Sequence, residues 1–325
     1  MNYYFAPLEG ITGYIYRNAH HEFFPGMDKY FTPFLSPNQH HAVNPKEARD
    51  ILPENNKGLF IVPQIMTKYA DYFVRAAAEL KEKYGYEEVN LNLGCPSRTV
   101  VSKGRGAGFL AKPEELDAFL QEVFEKTDSL VSIKTRLGME NPDEFYRILE
   151  IYNKYPLHEL IIHPRVQKDY YNHTPNWEMF GEAVKLSRNP LCYNGDIYTE
   201  EDYERMCEAF PTVERVMLGR GLLKNPALVQ RLKEKNDAKL AESERMSLSL
   251  PDKQTIKAFH DKLYADYKEY LSGDTPLLFK MKEVWVYMIG LFADNEKYWK
   301  KIKKASRLCD YEEAVRGLFR DLEIG

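Results

Sequence analysis

The clearest chemical signal in the sequence is the segment NLNLGCP at residues 90–96. Asn90 and Asn92 alternate with leucines, so their amides share one face of a strand. Cys95 follows in a Gly-Cys-Pro turn. A lone buried cysteine is usually inert, but an ordinary thiol is protonated near neutral pH and can act as a general acid. The pattern predicts an active-site proton donor beside two amides.

Three further polar residues lie near the ends of other apolar segments: Gln64 in VPQI, Lys134 in SIKTRLG and His163 in IIHPR. A lysine inside a protein is costly unless it meets an anion or a hydrogen-bond acceptor. An amide, an ammonium and an imidazole together suit an electron-rich heterocycle with carbonyl and ring-nitrogen acceptors.

Two glycine turns, Asn194-Gly195-Asp196 and Gly219-Arg220-Gly221, each lead into a helical segment. Backbone N–H groups at such turns bind phosphate, and an arginine adds charge. Phosphate sites after the seventh and eighth strands recur in (β/α)₈ barrels. A phosphate here, with a ring held by Gln64, Lys134 and His163, predicts FMN as the cofactor.

Two segments concentrate positive charge in a chain whose net charge is −4. Residues 97–108 carry three basic side chains among three glycines, which indicates a lid over an anionic substrate or a solvated connection. Residues 297–307, KYWKKIKKASR, carry six positive side chains and no acid. This segment is either a solvated helix face or an RNA-binding surface.

Eight short apolar segments alternate with helical patterns, which predicts a (β/α)₈ TIM barrel. The predicted strands are residues 3–7, 29–34, 59–65, 88–94, 130–135, 159–164, 190–195 and 215–219. Helical patterns cover residues 71–84, 142–153, 176–187 and 200–210, and another begins at 112–115. A doubly wound open sheet is the alternative, but such a sheet gathers its site at one switch point, whereas here many strand ends carry polar groups.

Residues 236–250 are rich in charge and serine and are predicted to be a linker. The pattern after residue 251 is entirely helical, which predicts a small all-α bundle. We therefore predict a catalytic barrel at residues 1–238 and a helical domain, with a tRNA-binding role, at residues 239–325.

The cysteines and the hydrophobic segments limit the class of protein. Four separated cysteines without a CxxC pair argue against a disulfide framework or a metal site and favour a cytoplasmic protein. No apolar run reaches the roughly 18–20 residues of a membrane span, and the first ten residues do not form a signal peptide.

The ordered motifs APLEGITG, NLNLGCP, SIKTRLG, IIHPR, NGDI and MLGRGLLKNP resemble those of the tRNA-dihydrouridine synthases. The resemblance covers about residues 3–230 and implies FMN, NADPH as reductant, and reduction of selected tRNA uridines to 5,6-dihydrouridine. It implies hydride transfer to C6 of the uracil and protonation of C5 by Cys95. The implied flavin contacts are Pro7, Leu8, Glu9, Gln64, Lys134, His163, Asn194, Gly195, Asp196, Gly219 and Arg220. Asn92, Arg165 and Lys168 would lie near the target base and its phosphates.

The sequence departs from the family pattern in two places. Leu8-Glu9 stand where the family usually has Met-Ala or Met-Met, and Pro164 replaces a frequent glycine between the histidine and the arginine. Three alternatives remain open at this point. They are a dihydroorotate-dehydrogenase-like flavoenzyme acting on a free pyrimidine, a flavin-free isomerase or aldolase barrel that binds a phosphorylated sugar, and a non-catalytic RNA-binding barrel.

Overall fold

The computed structural model describes residues 1–236 and 251–325. All described strands are parallel and form one sheet with the order β3-β2-β1-β9-β8-β7-β6-β5-β4. The strands are β1 Asn2–Phe5, β2 Lys29–Phe31, β3 Ile61–Val62, β4 Gln64–Ile65, β5 Glu88–Leu93, β6 Leu130–Thr135, β7 Leu160–Ile162, β8 Leu191–Tyr193 and β9 Arg215–Leu218. The prediction of a (β/α)₈ barrel is confirmed.

The ninth strand arises because the third predicted strand is divided at Pro63. Proline has no N–H to donate to a sheet ladder, so its segment pairs in two halves. Ile61–Val62 pair with β2, and Gln64–Ile65 pair with β5. This one segment therefore joins the two edges of the sheet and brings the barrel to near closure.

The described helices are α1 Tyr14–Phe23, α2 Pro45–Ala48, α3 Ala70–Tyr84, α4 Arg98–Val101, α5 Pro113–Lys126, α6 Glu144–Tyr152, α7 Trp177–Leu186, α8 Glu200–Ala209, α9 Arg220–Lys224, α10 Leu228–Asn236, α11 Lys253–Tyr270, α12 Asp274–Met288, α13 Glu296–Lys304 and α14 Leu308–Asp321. The five helical patterns predicted between the strands correspond to α3, α5, α6, α7 and α8 and agree closely with their bounds. Proline and two acids form the first turn of α5, and Gly85 ends α3 in the left-handed conformation at φ 77°. None of the described helices is long and apolar enough to cross a membrane.

The contacts divide the chain into two compact units. The first, which contains all nine strands, comprises Met1–Glu9, Asp28–Asp196 and Tyr203–Leu218. The second comprises Gly10–Met27, Ile197–Asp202 and Gly219–Gly325, and it is helical. The predicted boundary at residue 238 and most of the predicted linker lie outside the described residues.

Each unit has its own apolar core. One core cluster of the barrel unit contains Tyr4, Phe31, Val62, Ile161, Cys192 and Met217, from six different strands. In the helical unit, Phe259 of α11 packs edge-on against Tyr16 and Phe24. The buried Trp285 and His260 of this unit both form hydrogen bonds with the hydroxyl of Tyr311, so these three buried polar side chains have partners within the unit.

Candidate active site

A chain of side-chain amides runs along the inside of β4 and β5 to the cysteine turn. Gln64 Nε2 donates to Asn90 Oδ1 at 2.8 Å, and Asn92 Nδ2 donates to Gln64 Oε1 at 2.7 Å. Asn92 Oδ1 accepts from the backbone N–H groups of Gly94 and Cys95 at 3.1 and 3.0 Å. The two asparagines thus share one face, as predicted, and the second of them fixes the backbone that carries the thiol.

Cys95 is partly exposed at this turn. Burial raises the pKa of its thiol, and the carboxylate of Glu9 raises it further, whereas Arg136 and Lys134 act in the opposite direction. The effect of burial on the pKa is the largest, so the net pKa is raised. The thiol therefore carries its proton at neutral pH and is available as a general acid.

The segment after Cys95 is more ordered than a plain loop, because it contains α4 and a 3₁₀ turn at Gly106–Ala111. A Cβ on Gly106, whose φ is 53°, would lie 2.9 Å from the Cys95 carbonyl oxygen. A side chain on Gly108 would meet Val101 O at 2.6 Å. Gly106 therefore allows the segment to pack directly against the cysteine turn, and Gly108 allows the 3₁₀ turn to pack against α4.

Lys134 lies on β6 in register with Asn92. Burial lowers its pKa to about 8, and the nearby positive charge of Arg136 acts in the same direction. Among the described residues we find no hydrogen bond or ion pair to its ammonium group. A largely desolvated ammonium without a protein acceptor indicates a place for an acceptor-rich or anionic ligand.

The buried His163 and Arg165 form a cluster with the partly exposed Asp196 after β7 and β8. Arg165 is 1% exposed, and its guanidinium makes a two-pronged ion pair with the Asp196 carboxylate. The same guanidinium lies 2.8 Å from His163 Nε2 and donates to the His173 carbonyl at 2.5 Å. Because arginine only donates, His163 Nε2 is the acceptor, which places the imidazole proton on Nδ1. The structure therefore places Arg165 behind His163 and not on an open surface.

The predicted turn Asn194-Gly195-Asp196, which follows β8, is tightly constrained. Asn194 Nδ2 donates to the Met217 carbonyl at 2.8 Å, which ties this turn to β9. A Cβ on Gly195 would lie 2.1 Å from the Tyr193 hydroxyl, so this position accepts only glycine without rearrangement. Close approach of backbone to a ligand is a common reason for such a glycine.

The remaining predicted residues lie at strand ends or on the surface. Leu8 packs against the barrel core, while Glu9 is exposed and Pro7 is half-buried. Lys168 is 70% exposed, with its ammonium 3.9 Å from Glu140.

In the helical unit, Gly219 precedes α9 and Arg220 begins it. The Arg220 guanidinium lies 5.6 Å from the ring centre of Tyr198, and the Lys224 ammonium lies 4.2 Å from the same ring. Both cationic side chains therefore lie within cation–π distance of the Tyr198 ring.

Sequence reasoning missed the role of Arg136. Its guanidinium donates to the carbonyls of Gly94, Val166 and Tyr170 at 3.0, 2.9 and 2.6 Å, and it lies over the ring of Tyr171. It thus holds the turn before Cys95 and the segment after β7 together. The partners of Arg136 are backbone carbonyls, which any residue type provides, so no residue pattern in the sequence identifies them. The alternation of Ser132, Lys134 and Arg136 was the only signal in the sequence that could have indicated this role.

These groups define the class of the protein. It is a parallel-barrel enzyme whose protonated thiol, amides and buried ammonium lie toward the carboxyl ends of the strands, where barrel enzymes have their active sites. A profile of the family described as "Dihydrouridine synthase (Dus)" matches residues 4–319. The chain therefore belongs to the dihydrouridine synthase family and is an oxidoreductase.

Individual relatives agree with the profile. The chain is 29% identical over 280 residues to a "Probable tRNA-dihydrouridine synthase" of Staphylococcus aureus (strain COL), covering 82% of this chain and 83% of the relative. It is 28% identical over 279 residues to a "Probable tRNA-dihydrouridine synthase 2" of Bacillus subtilis (strain 168), covering 82% and 84%.

Solved structures agree in fold. The old yellow enzyme of Trypanosoma cruzi matches with a TM-score of 0.52 and 11% identity, covering 78% of this chain and 93% of that one. A histamine dehydrogenase of Rhizobium sp. 4-9 matches with a TM-score of 0.54 and 12% identity, covering 77% and 49%. At these identities the likeness concerns the barrel fold alone.

Proposed function

We propose that the protein reduces uridine in tRNA to 5,6-dihydrouridine, with FMN as the bound cofactor and NADPH as the reductant. The observation that carries the proposal is Lys134, a desolvated ammonium that has no acceptor among the described residues, beside amides that lead to a protonated thiol. The names of the relatives support the choice of tRNA as substrate.

The donors at the barrel mouth fit FMN. The amide chain uses each carbonyl oxygen at least once and leaves one N–H on each amide, so the site mainly offers donors. The pyrimidine part of a flavin offers carbonyl and ring-nitrogen acceptors, and bound reduced FMN would supply the hydride for C6 of the uracil. The residues that we propose to contact FMN are Pro7, Leu8, Glu9, Gln64, Lys134, His163, Asn194, Gly195, Asp196, Gly219 and Arg220.

The chain's own residues would act on the other face of the uracil. The Cys95 thiol would give its proton to C5, and the unused N–H of Asn92 would hold a carbonyl edge of the base. The base must leave its stack to reach them, because C5 and C6 are covered in folded RNA. Lys168 is exposed and is proposed to contact phosphate, whereas Arg165 would act by holding His163.

The proposal is tested first by the visible spectrum of the purified protein, before and after heat release of the cofactor. Flavin absorption with free FMN in the supernatant is expected. Incubation with NADPH and unmodified tRNA should then add two hydrogen atoms to particular uridines, as seen by mass spectrometry of the digested RNA. A colourless protein that takes up no FMN, or turnover of dihydroorotate without any of tRNA, would overturn it.

The helix α13 is the proposed tRNA-binding surface. Lys300, Lys301 and Lys304 are exposed on it and make no ion pair with any residue in the described ranges. Each lysine that neutralises a phosphate releases a counterion on binding. Changing all three to glutamine should weaken tRNA binding about tenfold and lower the salt dependence by roughly two units of slope.

The matched control is a triple glutamine variant of Lys112, Lys126 and Lys185. These are exposed lysines on or immediately before helices of the barrel unit, and each is paired with a glutamate at 2.6 Å. Filter binding at several salt concentrations compares the two variants. Equal tRNA affinities for both would exclude α13 as the RNA surface.

A further inference from the structure

The amide chain of the active site continues through the barrel interior to a buried charge cluster. Asn90 Nδ2 donates to Ser132 Oγ at 2.9 Å, and that hydroxyl donates to Glu88 Oε1 at 3.0 Å. The other oxygen of Glu88 accepts from Lys29 at 2.7 Å, and Lys29 also donates to Glu159 at 2.6 Å. A polar path therefore leads from the cysteine turn to the amino ends of the strands.

The arrangement follows from strand register. Glu88 and Asn90 are two residues apart on β5, with Asn92 two further, so all three share a face. Asn90 pairs in register with Gln64 on β4 and with Ser132 on β6. All these side chains are at most 8% exposed, so each partner must come from within the protein.

Every hydrogen bond of the path between the cysteine turn and Glu88 has the same direction, from donor nearer the turn to acceptor nearer Glu88. Backbone N–H groups at Gly94 and Cys95 can only donate, which turns the Asn92 oxygen toward them and its nitrogen toward Gln64. At the far end the Glu88 carboxylate can only accept, which turns the Ser132 hydroxyl toward it. Asn90 is the link that joins the two constraints, since it accepts from Gln64 and donates to Ser132.

We propose that Asn90, backed by Ser132 and Glu88, is a positioning residue that locks the Gln64 amide for binding of an acceptor-rich ring. This inference rests on the proposed function for the identity of that ring, the pyrimidine part of FMN. Asn90 acts through Gln64 and does not touch the reacting atoms. Without its oxygen, Gln64 keeps one partner at Asn92 and loses the other, so its remaining N–H would no longer be held in place.

The test compares two substitutions at Asn90. Asn90→Leu keeps the branched side chain with the same number of heavy atoms and cannot accept from Gln64, so the dissociation constant of FMN is expected to rise about tenfold. Asn90→Asp keeps an oxygen for Gln64, and when protonated it can also donate to Ser132. At pH near 6 its FMN affinity should stay within about threefold of the original, because burial favours the neutral carboxyl. The affinity should fall as the pH rises, because the ionised carboxylate can no longer donate to Ser132.

Two charged groups are linked to the carboxylate that Asn90→Asp introduces. Glu88 is reached through Ser132 and pairs with Lys29 on β2. Lys134 on β6 is in register with Asn92, while β4 carries no charged residue. The matched control is Ser129→Ala, because the Ser129 hydroxyl is buried and has no hydrogen-bond partner in the described structure. FMN affinity should not change in this control.

FMN titration of the apoprotein by flavin fluorescence gives the affinities, and thermal unfolding of the apoproteins confirms folding. The positioning role would be overturned if Asn90→Leu and Asn90→Asp lost equal FMN affinity with no dependence on pH, or if neither variant lost FMN affinity. If the unchanged protein itself fails to bind FMN, it is the proposed function that fails. Where Asn90→Leu does not fold, Ser132→Ala removes only the hydroxyl and should still raise the FMN dissociation constant.

Discussion

Replacing Cys95 with alanine is expected to lower turnover about 10²–10⁴-fold while the protein keeps its flavin. The thiol is the protonated acid at the carboxyl end of β5, and burial raises its pKa. Alanine leaves the backbone of the turn in place, because Asn92 holds it through backbone N–H groups. Single-turnover oxidation of the reduced enzyme by tRNA measures the loss.

The control for this variant is Cys309→Ala, which removes an exposed thiol of α14. It should turn over at the original rate. A Cys95→Ala protein that loses its colour would assign a structural role to the thiol, and one that keeps full turnover would exclude Cys95 as the acid. In the unchanged enzyme, the rate should fall as the pH rises through the raised pKa of the thiol, because the acid is then ionised.

Lys134→Met is expected to weaken FMN binding about 10- to 100-fold, the size of a hydrogen bond to a charged group. Methionine retains the unbranched stem and removes only the charge and the donors. In the unchanged protein the ammonium has a pKa of about 8, so FMN affinity should fall as the pH rises above that value. Titration of the apoprotein with FMN across this pH range measures both effects. An affinity that Lys134→Met leaves unchanged would remove the ammonium from the flavin site.

The same substitution should stabilise the apoprotein near neutral pH. Lys134 has a pKa of about 8 when folded against 10.5 ordinarily, so the unfolded chain binds the proton more tightly. The stability of the unchanged protein therefore rises between these two pH values, and the advantage of the methionine variant should shrink over the same range. A variant that gains stability while losing its ligand is typical of a functional site.

Several parts of the fold could be predicted because they depend on local pattern. The strand at Leu130–Thr135 was predicted with its observed bounds, since its alternation and its flanking segments are unambiguous. The tail was correctly predicted as helical, and α13 Glu296–Lys304 covers most of the charged segment for which a helix face was one of the two interpretations. The division of one strand at Pro63 was missed, because only the pairing on both sides reveals it.

The sequence by itself determined the barrel, the place of Cys95 at a strand end and the shared face of Asn90 and Asn92, because period-two alternation is a property of the chain alone. Only the tertiary structure decided that Arg165 is buried against Asp196 and that Lys134 finds no acceptor within residues 1–236 and 251–325. In the sequence, Arg165 and Lys134 are simply two residues with the same positive charge. Burial and hydrogen-bond partners in the folded protein determine whether each side chain is structural or can bind a ligand. Those depend on residues brought together from distant strands, and no local spacing encodes them.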